Sequence, residues 1–519
     1  MKTEINSEFA EALELMEDSA KLLFITGRAG TGKSTLLQYF RKNTKKNMIV
    51  LAPTGVAALN VQGQTIHSFF GFPPQITLEQ ACKEHPFDQL KSTITKLDLI
   101  IIDEASMLRA DLLDTIDQTL RQYGNKDKPF GGIRIVLIGD LYQLPPVLTS
   151  YEKNEFLQQY ASPYFFDAKV FQQSEYAIIE LEKIYRQKDH DFIELLNAIR
   201  CNQVGEQHMS KLNQQLKKQK AAHKKANEIT LCPTNIAVNN INQTQLNELS
   251  GDNINLNGKT AGDFQRQLPT DLKLQLKIGA QIMLVNNDAA KRWANGSMGT
   301  ILDYRWCNNK ECHILDIKLS NGINVEVPPY TWETNNYYYE PETESIEAEC
   351  LGSFTQYPVR LAWAVTIHKS QGKTFDQIVI DIGQGAFAHG QVYVALSRCT
   401  SLQGLILRKP ILKHHIKSDP RIQSFLNGQA LGQPYKSLTL PEKIDIIQSS
   451  IDSEDFVEIN YEAATGNMIK RKIRPLWIGE LEYEGREYLA LEVEPGNPGE
   501  QRVFSVDRII DITAIPLLT

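Results

Sequence analysis

The chain carries, at residues 22–35, the stretch Leu22-Leu23-Phe24-Ile25-Thr26-Gly27-Arg28-Ala29-Gly30-Thr31-Gly32-Lys33-Ser34-Thr35, which decides its fold. An apolar run of strand length enters a glycine-rich turn with G-x-x-x-x-G-K-[ST] spacing, and apolar residues at helical spacing follow. Backbone N–H groups at a helix N-terminus bind phosphates, because the helix dipole favours anions. The stretch therefore predicts a phosphate loop in which Lys33 holds the β- and γ-phosphates and the Ser34 hydroxyl holds Mg²⁺.

Length and composition bound the class of protein. A chain of 519 residues is too long for one core and predicts three or four domains. Apolar residues make up 42% and charged residues 23%, as in ordinary globular proteins, and the acidic N-terminus lacks the pattern of a signal peptide, so a cytosolic location is expected. The seven cysteines favour a reducing compartment, and the cluster of Cys307, Cys312 and His313 falls short of the four ligands that zinc prefers.

The charge distribution limits how the chain can bind nucleic acid. The net charge of −7 argues against a protein that coats polyanions indiscriminately, although a groove with local positive potential remains compatible with it. The one basic run extends from Lys211 to Lys225. It is either a solvated helix face or a contact with a nucleic-acid backbone.

The pattern of strand, loop and helix repeats after the phosphate loop, which indicates a parallel α/β sheet with ligands at the carboxyl ends of its strands. The strand Met48–Ala52 ends in Pro53-Thr54-Gly55, and a later buried strand ends in Asp103-Glu104. In such a sheet Asp103 can hold Mg²⁺ through water, while Glu104 orients the attacking water. The pair predicts a site that hydrolyses nucleotides.

Two polar residues further along have open roles. Gln143 follows a strand in a loop stiffened by proline, where it is either a sensor of the γ-phosphate or part of an ordinary turn. Arg398 ends a predicted helix in a second α/β unit, where it is either an ion-pair partner or an arginine finger that reaches across a cleft. Between these residues the pattern changes to short strands from Leu272 to about Tyr330, with a hairpin turn at Asn321-Gly322.

Taken in order, these motifs resemble one family over residues 1–415: the petite integration frequency (PIF-type) DNA helicases, in the RecD-like branch of helicase superfamily one. The matching segments are Gly27 to Thr35, Ala52 to Ala58, Thr65 to Phe69, Asp103 to Leu108, Gly139 to Pro146, Tyr185-Arg186-Gln187, Thr366 to Gly372 and Tyr393 to Arg398. The resemblance implies an ATP-dependent helicase that moves 5′ to 3′ on single-stranded DNA and unwinds forked duplex DNA, as a monomer in the bacterial cytosol, in replication, repair, recombination or telomere and genome maintenance.

The resemblance also implies the site residues. The catalytic residues are Lys33, Asp103, Glu104, Gln143, Arg186 and Arg398, the last two as arginine fingers. ATP and Mg²⁺ are the cofactors, with Ser34 and Asp103 at the metal and the nucleotide held by Asn6, Gly27, Ala29, Gly30, Thr31, Gly32, Lys33, Ser34 and Thr35. The single-strand track consists of Pro53, Thr54, His67, Ser68, Phe69, Thr234, Asn235, Thr366, His368, Lys369 and Ser370, with His67 or Phe69 able to stack on a base.

The sequence departs from the family pattern before the phosphate loop. The family often has a glutamine there that reads adenine, whereas this chain has Phe9 at the expected place. Asn6 is the nearby residue whose amide offers the same contacts.

The tail resembles a WYL domain, a bacterial module that binds nucleic acid or senses a nucleotide ligand. Its matches include Glu487-Tyr488-Leu489 in place of Trp-Tyr-Leu. Tyr488 beside Arg502 and Arg508 suits stacking on a base with phosphate contacts, and salt-bridged strand residues are the alternative.

The resemblance sets the expected domains. An α/β fold with two RecA-like domains is expected, the first at residues 1–183 with a duplex-splitting wedge at about 62–95, the second at 184–271 and 352–426. An SH3-like β insertion is expected at 272–351, a linker at 427–441 and the WYL-like domain at 442–519. Two alternative functions stay open: a DNA-stimulated translocase that does not unwind by itself, and an ATPase switch controlled by the WYL-like tail.

Overall fold

The structure is a computed structural model of the chain. It describes residues 5–18, 21–72, 88–187, 189–216, 228–264, 268–308, 311–340, 345–383, 385, 388–430, 437–463, 468–483, 486–494 and 502–515. Within these ranges no helix is long and apolar enough to cross a membrane. Two predicted features fall largely outside them: the centre of the wedge region, at 73–87, and the basic run after Leu216.

A six-stranded parallel sheet forms the core of the first part of the chain, and we call it the first sheet. Its strands lie in the order β3-β2-β4-β5-β1-β6. Their bounds are β1 Leu22–Gly27, β2 Met48–Ala52, β3 Gln64–Thr65, β4 Leu99–Ile102, β5 Arg134–Ile138 and β6 Tyr176–Leu181. The helices around this sheet are Ser7–Asp18, Lys33–Asn43, Gly55–Asn60, Ile66–Phe70, Asp88–Ile94, Ala110–Tyr123, Ser150–Gln159 and Lys169–Gln173.

The strands of the first sheet are apolar on both faces because helices cover both. On β1, Leu23 and Ile25 point into one hydrophobic cluster and Phe24 into another. This double burial is typical of parallel sheets with crossover helices. It confirms the expected parallel α/β core and brings the ends of β1, β2, β4 and β5 to one edge.

A second parallel sheet begins at β7 (Ile229–Cys232), after the helices His190–Arg200 and Glu206–Asn213, and the helix Asn235–Glu248 follows it. The chain then leaves this sheet for a set of antiparallel strands, which we call the β insertion. They are β8 Ile254–Asn257, β9 Lys259–Gly262, β10 Lys273–Leu276, β11 Gln281–Leu284, β12 Met298–Cys307, β13 Cys312–Leu319, β14 Asn324–Val327, β15 Tyr330–Glu340, β16 Ser345–Gln356 and β17 Val359–Leu361.

The antiparallel pairing extends beyond the predicted limits of 272–351. β9 pairs with β16, β8 with β10, and β11 with β17, so the insertion begins at Ile254 and ends at Leu361. The segment after Val359 was expected to resume the α/β pattern, but its first strand instead completes a five-stranded sheet in the order β14-β13-β12-β11-β17. The hairpin at Asn321-Gly322 is confirmed, with Gly322 at a φ of +86°.

The chain then returns to the second sheet through β18 (Ala364–Thr366), β19 (Ile378–Ile380) and β20 (Leu405–Leu407), which lie in the order β18-β7-β19-β20, all parallel. The helix Gln391–Ser397 separates β19 from β20 and is buried along its whole length.

The C-terminal part folds around two three-stranded antiparallel sheets, β22-β21-β26 and β23-β24-β25. The helices Pro420–Ala430 and Leu440–Asp452 precede them, so helix extends into both ends of the predicted linker at 427–441. The strands are β21 Phe456–Glu462, β22 Met468–Ile473, β23 Pro475–Tyr483, β24 Arg486–Val493, β25 Arg502–Ser505 and β26 Ile509–Ile515. Residues 440–515 are called the C-terminal unit below.

Candidate active site

The predicted phosphate loop joins β1 to the helix Lys33–Asn43. Gly30 and Gly32 have φ angles of +88° and +90°, a region that favours glycine. A Cβ on Gly30 would also lie 2.4 Å from the Cβ of Arg186, so the glycine allows a close approach of the two segments. Lys33 Nζ donates to the carbonyl oxygens of Gly27 at 2.6 Å and Arg28 at 3.0 Å. The ammonium therefore lies over the loop, where a phosphate group would replace carbonyl oxygens as its partner.

The predicted carboxylate pair follows β4, next but one to β1 in the sheet. Burial raises the pKa of Asp103 to about 7, and the neighbouring Glu104 adds to the effect. Burial also raises the pKa of Glu104, while Lys33 opposes the rise. Two buried carboxyls beside one ammonium leave negative charge poorly compensated, which suits a site that takes a divalent cation.

Gln371 connects these groups to the second sheet. Its Nε2 donates to Glu104 Oε2 at 2.9 Å and to Gln143 Oε1 at 3.2 Å. Gln143 Nε2 in turn donates to Asp140 Oδ2 at 3.3 Å. The structure thus brings Gln143 into the same cluster as Glu104, and a residue on the far side of the cleft holds both side chains.

The two predicted arginine fingers approach this cluster from different segments: Arg186 follows β6 and lies against the phosphate loop, and Arg398 ends the helix Gln391–Ser397 beside the second sheet. Arg186 donates to the carbonyl oxygen of Ser397 at 3.2 Å, and Arg398 donates to that of Val394 at 3.0 Å. Burial lowers the pKa of Arg398 to about 9, and Arg186 lowers it further, whereas Glu104 raises it. The two guanidinium groups lie close enough to repel each other, and no ion pair of either is found within the described ranges.

Sequence reasoning missed a buried network around Asp140. Arg200 donates to Asp140 Oδ1 at 3.3 Å and its guanidinium lies 4.3 Å from the ring centroid of Tyr142. Tyr393 donates its hydroxyl to Asp140 Oδ2 at 3.1 Å and accepts the N–H of Ala29 at 3.0 Å. The sequence does offer one indication of this network, because Asp140 follows a buried strand. Its partners Arg200 and Tyr393 lie far away in sequence, so no local pattern links them to it.

The remaining nucleotide-site residues lie near the loop, with one difference from expectation. Ser34 and Thr35 are exposed at the loop, and Thr31 is buried with its hydroxyl donating to Arg28 O. The difference concerns Asn6, whose Oδ1 accepts from Phe9 N at 2.9 Å and so caps the first helix; its contact with adenine stays a prediction. Phe9 is buried against the loop, 3.2 Å from the position of a Cβ on Gly32.

The predicted single-strand track is only partly accessible. Pro53, Thr54, His67 and Ser68 are half buried near the ends of β2 and β3. Phe69 instead packs in the hydrophobic core at 4% exposure, with its ring edge-on to Phe70 at 4.8 Å. The prediction that Phe69 can stack on a base is therefore corrected, because the ring is inside the domain.

The part of the predicted track after residue 230 also contains both accessible and buried residues. Thr234 and Asn235 are exposed at the end of β7, and Thr234 caps the helix that follows. His368 and Lys369 are half buried after β18. Thr366 and Ser370 are buried and hold the turn instead, since Thr366 Oγ1 accepts from Lys369 N and Ser370 Oγ donates to Ile367 O. Neither hydroxyl faces solvent in this structure.

The phosphate loop and the carboxylate pair lie at one edge of the first sheet, and Gln371 and Arg398 reach them from the side of the second sheet. This arrangement defines a P-loop nucleoside triphosphatase whose site is built from two halves. The model of the PIF1-like helicase family matches residues 3–210. The chain is 32% identical over 468 residues to the human ATP-dependent DNA helicase PIF1, covering 88% of this chain and 68% of that protein. It is also 32% identical to Pif1 of Bdellovibrio bacteriovorus, over 78% of this chain and 88% of that one.

Solved structures of a Bacteroides Pif1 agree with this assignment. The complex with ADP-AlF4 superposes with a TM-score of 0.73 at 36% identity, over 83% of this chain and 98% of that one. The complex with ADP-AlF3 and single-stranded DNA gives 0.64 at 35% identity, over 84% and 100%. This chain belongs to the PIF1-like helicase family, and its activity is that of an ATP-dependent DNA helicase.

Proposed function

We propose that this chain hydrolyses ATP with Mg²⁺ in the cleft between its two parallel sheets and converts cleft closure into 5′-to-3′ movement on single-stranded DNA. The observation that carries the proposal is the contact of Gln371, from the second sheet, with both Glu104 and Gln143 of the first. Binding or loss of a γ-phosphate between these groups would change contacts in both halves. DNA that spans the halves would then be moved by their relative motion.

The proposed roles in hydrolysis follow from position and charge. Lys33 holds the β- and γ-phosphates, and Glu104 accepts a proton from the water that attacks the γ-phosphate. Gln143 orients that water or contacts the phosphate. Mg²⁺ held by Ser34 and Asp103 would neutralise charge on the phosphate oxygens, and the raised pKa of Asp103 is consistent with a carboxylate that lacks this counter-charge.

Arg186 and Arg398 supply the charge that favours closure. Burial lowers the pKa of Arg398, and repulsion from Arg186 lowers it further. A γ-phosphate between them would remove this repulsion, so ATP would draw the second sheet toward the first. Loss of the phosphate after hydrolysis would restore the repulsion and let the cleft open, which gives one step per ATP.

Single-stranded DNA is the proposed partner, and forked duplex DNA the proposed substrate. The residues proposed to contact the strand are partly or fully exposed and lie on both halves: Pro53, Thr54, His67 and Ser68 on the first, and Thr234, Asn235, His368 and Lys369 on the second. Such hydroxyls, amides and cations bind phosphates without reading sequence. The Bacteroides Pif1 structures that hold single-stranded DNA and a forked duplex support this assignment by similarity.

The finer family assignments belong to the proposal. We place the chain in the RecD-like branch, with the first RecA-like domain at 1–183, the second on both sides of the β insertion, a wedge within 62–95, an SH3-like module in the β insertion and a C-terminal WYL-like domain that binds a nucleic acid or nucleotide. The helix Asp88–Ile94, which packs against β15, supports a wedge that works with the β insertion. A monomer in the bacterial cytosol stays a prediction.

Unwinding of tailed duplexes by the isolated chain tests the proposal. A duplex with a 5′ single-stranded tail is expected to open with ATP and Mg²⁺, and one with a 3′ tail to stay closed. Lys33→Ala is the control, expected to bind single strands and open neither. If the chain hydrolyses ATP in response to DNA yet opens no duplex, the translocase alternative is correct; opening of the 3′-tailed duplex alone contradicts the proposed direction.

A further inference from the structure

A small cavity lies where three parts of the chain meet, away from the phosphate loop. It has a volume of about 60 Å³ and is lined by Gly55 of the first sheet's side, Met283 and Asn295 of the β insertion, and Lys369 and Lys373 of the turn after β18. Asn295 Nδ2 donates to Asn60 Oδ1 at 2.9 Å, which joins the β insertion directly to the helix after β2. A ligand in the cavity would therefore touch all three parts.

Three cationic side chains line this cavity, and none of them forms an ion pair with a carboxylate in the part of the chain that the structure describes. They are Arg360, Lys369 and Lys373. Arg360 donates one N–H to the carbonyl oxygen of Leu268 at 2.9 Å, but its Nε is buried with no hydrogen-bond partner in the described part of the chain. The Lys373 ammonium lies 2.9 Å from the thioether sulfur of Met283, which is only a weak acceptor.

The electrostatics of the cluster favour an anion over a further cation. Burial lowers the pKa of Lys373 to about 8, and Arg360 and Lys369 lower it further. Burial and Arg360 likewise lower the pKa of Lys369, and burial lowers that of Arg360. The Asp271 carboxylate, in contrast, raises the pKa of Arg360 and of Lys369. An anion in the cavity would reverse these effects.

We propose that Arg360, Lys369 and Lys373 form a binding site for one phosphodiester group of the single strand, at the junction of the two sheets and the β insertion. The inference rests on the proposed function and adds to it Arg360 and Lys373, which no motif indicated. Phosphate oxygens are strong acceptors for charged donors, and three cations would surround one group. Gly55, which lacks a side chain, follows directly on Pro53-Thr54 of the proposed track and leaves room for the backbone of the strand.

Salt dependence of strand binding tests the site. Lys373→Met keeps the length of the side chain and removes its charge, and Lys126→Met, in an exposed loop of the first part of the chain, is the matched control. Affinity for fluorescent oligothymidylate is measured by anisotropy over a range of salt concentrations, with thermal unfolding midpoints as the check on folding. For Lys373→Met the slope of log K against log salt is expected to become shallower by about 0.7, the value for one lost phosphate contact on a single strand, while Lys126→Met keeps the wild-type slope.

A pH series supplies a second readout that a purely structural lysine would not change. A bound phosphodiester raises the pKa of Lys373 from about 8, so the wild-type affinity is expected to be full below pH 8 and to fall as the pH rises above it. Lys373→Arg keeps its charge throughout this range, so it is expected to retain affinity and lose this pH dependence.

The outcomes separate this inference from the function on which it rests. If the wild-type chain binds the strand and Lys373→Met binds it with the same affinity and salt slope, the proposed phosphodiester site is refuted. The same conclusion holds if only inorganic phosphate binds in the cavity. If the wild-type chain itself does not bind single strands, the proposed function fails instead.

Discussion

Tyr393 is the residue whose contacts best explain how the two halves of the site communicate. Its hydroxyl donates to Asp140 at 3.1 Å and accepts the N–H of Ala29, in the phosphate loop, at 3.0 Å. Asp140 in turn binds Gln143 and Arg200. The Tyr393 hydroxyl, on the helix beside the second sheet, thus holds the Ala29 N–H of the phosphate loop and the Asp140 carboxylate that binds Gln143.

Tyr393→Phe is expected to lower the DNA-stimulated kcat of ATP hydrolysis about tenfold, because two buried polar groups lose a partner and closure loses roughly 1–3 kcal/mol. Steady-state ATPase assays with and without single-stranded DNA measure the effect. Tyr142→Phe is the matched control, since the Tyr142 ring faces Arg200 and its hydroxyl makes no hydrogen bond among the described residues. An unchanged kcat in Tyr393→Phe would show that the hydroxyl does not couple the halves.

Glu104 stands in a strained backbone conformation that directs its carboxylate into the cleft. Its φ of +53° is uncommon for a residue other than glycine and begins the short helix Ala105–Met107. Glu104→Gln can still accept the bond from Gln371, but it cannot take a proton from water. We expect kcat to fall by about 10²- to 10⁴-fold with nucleotide binding retained.

Single-turnover hydrolysis and fluorescent-nucleotide binding separate these two effects. Loss of nucleotide binding in Glu104→Gln, or a kcat within a few-fold of wild type, would contradict the assignment of Glu104 as the base.

At the residue scale, the sequence predicts those site residues that stand directly after a buried strand. Lys33, Asp103 and Glu104 follow buried strands, and a parallel sheet brings such positions to one edge. Tyr393 and Gln371 could not be placed in this way, since they act on residues more than 200 positions away. The burial of Phe69 was missed because its helix has apolar residues on more than one side.

One helix outside both sheets holds the C-terminal end of the second part of the chain against the first. The helix Pro420–Ala430 follows the second sheet, yet its Phe425 is fully buried in an aromatic cluster of the first part. The Phe425 ring stacks on Phe166 at 4.5 Å with an interplanar angle of 13°, and Phe165, Phe171 and Phe24 surround it. This helix therefore joins the two halves, in addition to the segment after β6.

Phe425→Ala is expected to lower the free energy of unfolding by about 3–5 kcal/mol, because it removes a fully buried ring from a packed cluster. Denaturant titration of the full chain, followed by circular dichroism, measures the loss. Leu426→Ala is the control: the adjacent side chain is only partly buried, so the loss should be less than half as large. Equal effects of the two variants would show that the helix does not anchor through Phe425.

At the scale of elements, adjacent pairs were predictable and distant pairs were not. The hairpin of β13 and β14 follows from Asn321-Gly322, whose conformational preference is local. The pairing of β9 with β16 joins segments about ninety residues apart, and no local preference specifies it. For this reason the β insertion was predicted to begin too late and to end too early.

In the molecule as a whole, the same two halves meet at the ATP site and again beside the proposed DNA track. Gln371 and Tyr393 connect the sheets beside the phosphate loop, while Asn60 and Asn295 connect the first part to the β insertion. The C-terminal unit also contacts the first part, through the ion pair of Lys153 with Asp507 at 2.7 Å. A strand bound at the junction would thus act on the same halves that ATP brings together.

The rate of ATP hydrolysis by the full chain, measured with and without single-stranded DNA, tests the central claim most directly. If strand binding lowers the activation free energy of hydrolysis by about 1–3 kcal/mol, kcat is expected to rise by about 5- to 150-fold. Hydrolysis at the same rate in both conditions would contradict the claim that closure of this cleft drives movement along DNA.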